Sequence, residues 1–69
     1  MEMLRVTSSN ISSIGYNSSS KRLVFLFNDG SKYEYYNVPE KVYQELMASE
    51  SKSGYAHKNI YEGYEYSKI

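Results

Sequence analysis

RLVFLFNDGSKYEYYN, residues 22–37, is the stretch from which the fold can be read. Leu23, Val24, Phe25, Leu26 and Phe27 form an unbroken apolar run of residues that favour strands. Asn28-Asp29-Gly30-Ser31 follows with turn chemistry, and Gly30 can take the positive φ that a hairpin loop requires. The return segment alternates, with Lys32 and Glu34 on one face and Tyr33 and Tyr35 on the other. This pattern predicts a β-hairpin, and the rest of the chain reads as its cover.

Upstream, Ile11–Tyr16 reads as a first strand. A bulge at Ser12-Ser13 would reset the alternation and send both Ile11 and Ile14 to the core. Asn17–Lys21 (NSSSK) is a polar turn. The short apolar patch of Met3, Leu4 and Val6 extends a strand or hangs free, and Met3 and Leu4 are candidates for subunit contact. Downstream, proline followed by an acidic residue starts a helix over Pro39–Ala48, with Val42, Tyr43, Leu46 and Met47 on one face. Ser49–Gly54 (SESKSG) reads as a flexible polar link. Beyond it, Tyr55, Ile60, Tyr61, Tyr64, Tyr66 and Ile69 recur too regularly for a trailing end, so the tail is expected to pack back. The predicted class is α+β: a three-stranded antiparallel β-meander, one helix packed on it, and a C-terminal extended segment or fourth strand. One domain spans residues 1–69, with its core at about 8–69.

Composition narrows the function. A chain of 69 residues buries only about 60% of its unfolded surface. Cysteine is absent, which excludes disulfides and cysteine metal cages, and the single histidine, His57, makes no ordinary zinc site alone. Self-association as a homo-oligomer is therefore the expected source of added stability. Eight basic and eight acidic residues cancel, which argues against broad, non-specific gripping of a nucleic-acid backbone but allows a local basic patch. No signal peptide or apolar span is visible, so a cytoplasmic protein with no membrane partner is expected. Nine tyrosines supply flat apolar faces with hydroxyl handles, a residue type enriched at recognition surfaces.

The parts of a catalytic site are missing: no nucleophile–base pair, phosphate loop or dinucleotide fingerprint is legible. No enzyme activity, metal or cofactor is expected. The strongest candidate site is Lys52, Ser53, Gly54, Tyr55, His57, Lys58 and Asn59, which combines cations, an open backbone, an aromatic face and hydrogen-bonding groups. In this reading Lys52, Lys58 and His57 meet phosphate, Tyr55 stacks a base and Asn59 orients it. Arg5, Arg22 and Tyr36 join the patch if the fold brings them near.

Taken together, SSNISSIGYN, LVFLFNDGSKYEYYNVPEKVYQELMAS, SKSG and NIYEGYEYSKI resemble the KTSC domain from about Ser8 to Ile69. That family of short bacterial and phage proteins is named after the C-terminal extension of some lysyl-tRNA synthetases. The matching positions are Ser9, Ile11, Ile14, Gly15 and Tyr16, then Leu23, Phe25, Phe27, Gly30, Tyr33 and Tyr35. Val38, Pro39, Ser53, Gly54, Ile60, Tyr64 and Tyr66 complete the set. Where the family pattern has an aromatic and an asparagine, this chain has Ala56 and His57. The resemblance implies a small non-catalytic module for a nucleotide-type ligand, either RNA or a small nucleotide. Two alternatives stand beside it: a phage-type homo-oligomeric sponge for a nucleotide signal, and a protein-interaction or assembly module with a tyrosine-rich surface.

Overall fold

The computed structural model describes all residues, 1–69. Five strands run β1 (Met3–Arg5), β2 (Ile11–Asn17), β3 (Arg22–Phe27), β4 (Lys32–Tyr35) and β5 (Tyr66–Lys68). Two helices, α1 (Glu40–Ala48) and α2 (Lys52–Asn59), lie between β4 and β5 in sequence. The sheet order is β1-β2-β3-β4-β5, with every neighbouring pair antiparallel. The α+β class and the central hairpin agree with the sequence reading. The expected three-stranded meander is β2-β3-β4 and the expected C-terminal strand is β5; the structure adds β1 and a second helix, which takes up part of the expected link.

The hairpin holds β3 against β4 with Phe25 opposite Tyr33 and Leu23 opposite Tyr35. Gly30 closes the turn at φ 91°, a region that side chains disfavour. On β2 the register jumps from Ile11↔Phe27 to Ser13↔Leu26, the bulge expected at Ser12-Ser13. It turns both Ile11 and Ile14 to the helix-bearing face, where they are fully buried. The edge strands β1 and β5 have three residues each, and β5 is the strand expected from the C-terminal tail.

Pro39 occupies the N-cap of α1 rather than its first turn, with φ −65° and ψ 150°. Its carbonyl accepts from the N–H groups of Val42 at 3.0 Å and Tyr43 at 3.3 Å. The approach to this helix is pinned from below. Tyr16 donates its hydroxyl to the Val38 carbonyl at 2.6 Å and stacks on Tyr43 at 4.7 Å.

α2 forms where a loop was expected because its start is capped. Ser51 Oγ accepts from the Gly54 N–H at 3.1 Å, and the Ser51 carbonyl accepts from the Tyr55 N–H at 2.9 Å. Serine, glycine and asparagine give this segment poor helix propensity, so its stability comes from burying Ala56 and, just past its end, Ile60. Both join Ile11, Ile14, Leu23, Phe25, Tyr35, Val38 and Leu46 in one core. Phe25 sits among three rings, 5.9 Å from Phe27, 5.6 Å from Tyr35 and 5.7 Å from Tyr61.

The opposite sheet face carries no helix. Val24 is nonetheless only 4% exposed. β1 lies close on that side, because a Cβ on Gly15 would stand 2.5 Å from Met3 Sδ and 3.0 Å from Met1 Sδ. The missing side chain at Gly15 makes room for the methionines.

Candidate functional site

The residues singled out from sequence divide between two regions of the molecule. Lys52, Tyr55, His57, Lys58 and Asn59 all lie on α2, while Arg5, Arg22 and Tyr36 belong to the helix-free side of the sheet. Arg5 pairs in register with Ser13, and the Arg22 guanidinium lies 5.4 Å over the Tyr36 ring. Arg22 also stands 3.7 Å from Glu34, which is opposite Val24 on that face. The sheet therefore separates these three from the α2 residues.

On α2 itself the side chains spread around the helix. At about 100° per residue, Tyr55 and His57 point roughly 160° apart. Lys52 Nζ donates to the Ser49 carbonyl at 3.0 Å, satisfying a backbone acceptor at the end of α1. Tyr55 donates its hydroxyl to Glu45 Oε1 at 2.7 Å and so bridges the two helices. Burial, reinforced by the Glu45 carboxylate, pushes the Tyr55 hydroxyl up to about 12. Asn59 Nδ2 donates to the Tyr55 carbonyl at 3.1 Å. His57 stands edge-on to Tyr61 at 6.3 Å, and Lys58 is exposed.

A pH dependence follows from these tyrosines. Tyr35 is pushed up to about 12 as well, chiefly by burial and then by the rings of Tyr61, Tyr66 and Tyr33. A hydroxyl whose folded value is raised favours the folded state fully below the unfolded value of about 10. That contribution is lost as pH rises through about 12. Stability should therefore fall between these limits, with tyrosinate absorbance and loss of helical circular dichroism rising together. Tyrosines that ionise near the ordinary value with no loss of fold would contradict this.

Two adjoining clefts were not legible in the sequence. The first, of about 290 Å³, is walled entirely by polar residues: Thr7, Ser8 and Ser9 on one side, Glu50, Ser51, Lys52 and Ser53 on the other. Ser8 Oγ is committed to the N–H groups of Asn10 and Ile11, each at 3.3 Å, and Ser51 Oγ to the cap. The hydroxyls of Thr7, Ser9 and Ser53 remain for a ligand. The second cleft, of about 350 Å³, is lined by Ser9, Asn10, Phe27, Asn28, Asp29 and Tyr61. Ser9 lines both, so the two clefts adjoin at this residue.

The second cleft has a fixed polar wall. Asn28 donates its Nδ2 to the Ser9 carbonyl at 2.9 Å, and its backbone N–H to the Asn10 carbonyl at 2.8 Å. Asp29 Oδ1 accepts from the Ser31 N–H at 2.9 Å and the Ser31 hydroxyl at 2.6 Å, bonds that hold its carboxyl below the ordinary value. The usable sequence signal was a pair of hydroxyl runs, Thr7-Ser8-Ser9 and Ser51-Lys52-Ser53, the second of them opening a capped helix.

No group of three or more His, Cys, Asp or Glu side chains is placed to hold a metal ion. No helix is long and apolar enough to cross a membrane.

A relative of known structure has the same architecture. A KTSC domain protein from Yersinia pestis superposes with a TM-score of 0.95 at 32% identity, covering 99% of this chain and 96% of that one. A lysine–tRNA ligase from Trichormus variabilis is 36% identical over 67 residues, which is 97% of this chain and 12% of that protein. The chain thus spans about one-eighth of such ligases. A protein from Tsukamurella paurometabola is 41% identical over 49 residues, 71% of this chain and 73% of its own length. The KTSC domain profile matches residues 7–64, and the chain belongs to the KTSC domain family.

Proposed function

We propose that this chain is a small non-catalytic binding module for a nucleotide-type ligand whose phosphate sits in the cleft between Thr7–Ser9 and Glu50–Ser53. The observation that carries this reading is that no hydrophobic residue lines that cleft, where Lys52 and three hydroxyls without a partner in the protein stand against a single acid, Glu50. The first-turn N–H groups of Lys52 and Ser53 have no partner within the helix and add donors of the right kind. Lys52 keeps its bond to the Ser49 carbonyl and has two further ammonium protons for an anion. Ser9 and Ser53, two positions on which the KTSC resemblance rests, both line this cleft. Lysine–tRNA ligases carry a matching segment, which favours a ligand of the nucleic-acid class.

A second reading, assembly with further copies, is favoured by a separate observation. The large exposed apolar side chains are Met1, Leu4, Tyr66 and Ile69, and all four lie on or beside the two outer strands β1 and β5. Open strand edges carrying apolar side chains invite pairing.

One experiment addresses both readings. In native mass spectrometry of gently purified protein, a nucleotide-sized mass adduct is expected, removed by the double substitution Lys52→Ala and Ser53→Ala. In titrations with nucleoside monophosphates, the same variant should lose about tenfold in affinity. An unaltered adduct and unaltered titration would sink the phosphate assignment. A bare oligomer that binds no nucleotide would leave assembly as the function.

A further inference from the structure

Resting on the reading above, the geometry points to guanine as the base this module selects, held in the second cleft by Asp29 and Asn28. The argument is one of donors and acceptors. Asn28 Nδ2 is spent on the Ser9 carbonyl, which leaves its Oδ1 as an acceptor. Asp29 binds Ser31 through Oδ1 alone, leaving Oδ2 as a second acceptor beside it in sequence and in the same wall. The adjoining Asn10 side chain makes no hydrogen bond within the protein and can donate.

Among the common bases, guanine alone presents two adjacent donors, N1–H and the 2-amino group, with an acceptor, O6, beside them. Adenine and cytosine each place a lone pair next to their amino donor, and uracil flanks its one N–H with two carbonyls. Those three would each set a lone pair against a protein acceptor, an unpaired contact that costs affinity. The rings of Phe27 and Tyr61, 6.4 Å apart and inclined at 57°, supply the apolar wall on which a base can lie.

A guanidinium group would also satisfy two acceptors beside an aromatic wall. The adjoining cleft that shares Ser9 favours the nucleotide, because Lys52 and the hydroxyls of Thr7, Ser9 and Ser53 there suit an anion, with Glu50 as the one acid in that wall. A ligand that donates hydrogen bonds from a flat edge at one end and carries an anion at the other describes a guanosine phosphate.

The test compares the monophosphates of guanosine, inosine, adenosine, cytidine and uridine by calorimetric titration of the wild-type chain. Guanosine monophosphate is expected to bind at least about tenfold more tightly than the adenosine, cytidine and uridine forms. Inosine monophosphate, which keeps N1–H but lacks the 2-amino group, should fall between them. Asp29→Asn retains an oxygen for the Ser31 bonds but turns the free acceptor into a donor. It should erase the guanosine preference and favour xanthosine monophosphate, whose 2-carbonyl accepts where guanine donates.

Equal binding of all five wild-type ligands would overturn guanine selection while leaving the phosphate cleft standing. Binding of none would remove both readings. Capture of arginine amide in preference to every nucleotide would replace guanine by a guanidinium partner. The inosine comparison needs no substitution, so it decides the matter even if Asp29→Asn perturbs the turn.

Discussion

Phe25→Ala is expected to leave the chain largely unfolded at ordinary temperatures. Phe25 is fully buried and meets the rings of Phe27, Tyr35 and Tyr61 within 6 Å. Truncating such a side chain costs about 3–5 kcal/mol through lost transfer energy and the cavity left behind. A domain of this size rarely holds more than about 3–5 kcal/mol in total. The two magnitudes are equal, so the loss is decisive. Circular dichroism during urea titration would show it as the absence of a folded baseline. Phe25→Leu refills much of the volume and should retain a cooperative transition with a lower midpoint. A transition for Phe25→Ala within about 1 kcal/mol of wild type would mean that the sheet and helices are joined elsewhere.

Leu46→Ala is the second large effect, at about 2–5 kcal/mol. Leu46 is the one fully buried side chain of α1, a helix of nine residues. Helices of that length do not persist alone in water, so packing must supply their stability. Val42, Tyr43 and Met47 lie only partly buried around it and cannot fill the gap by themselves. The helical signal should fall and the Tyr55–Glu45 bridge should loosen, because both helices meet the same core. Gln44→Ala, on the exposed side of the same helix, serves as the control and should change stability by about 0.5 kcal/mol or less. Equal behaviour of the two variants would show that α1 is held by its termini instead.

The clefts described above depend on this packing rather than on any local motif. Thr7–Ser9 leads into β2, while Glu50–Ser53 leads into α2, about forty residues later. The two walls come together only because Ile11 and Ile14 on one side, and Ala56 and Ile60 on the other, enter one core. The wall of the second cleft is assembled likewise: Phe27-Asn28-Asp29 comes from the central hairpin, Asn10 from the approach to β2, and Tyr61 from beyond α2. Mutations that loosen the core should therefore weaken the proposed binding even where the lining residues are unchanged.

By itself the sequence determined the elements whose signals are local. The apolar run at 23–27, the turn at 28–31 and the alternating return strand specify the hairpin through neighbours a few residues apart. Ile11 and Ile14, separated by three, required a bulge if both were to be buried, and Pro39-Glu40 marked the start of α1. Their order and spacing also carried the KTSC resemblance. Tertiary structure alone decided β1 and α2, and it placed the expected C-terminal strand, β5, beside β4. β1 is too short to show a period, and the helix is rich in residues that disfavour helices, so each exists through partners distant in the chain. It also decided that Arg22 and Tyr36 stand across the sheet from α2 and that Tyr55 ties the helices together. Side-chain direction at a site follows from which face of an element is buried, and burial is set by the whole core at once.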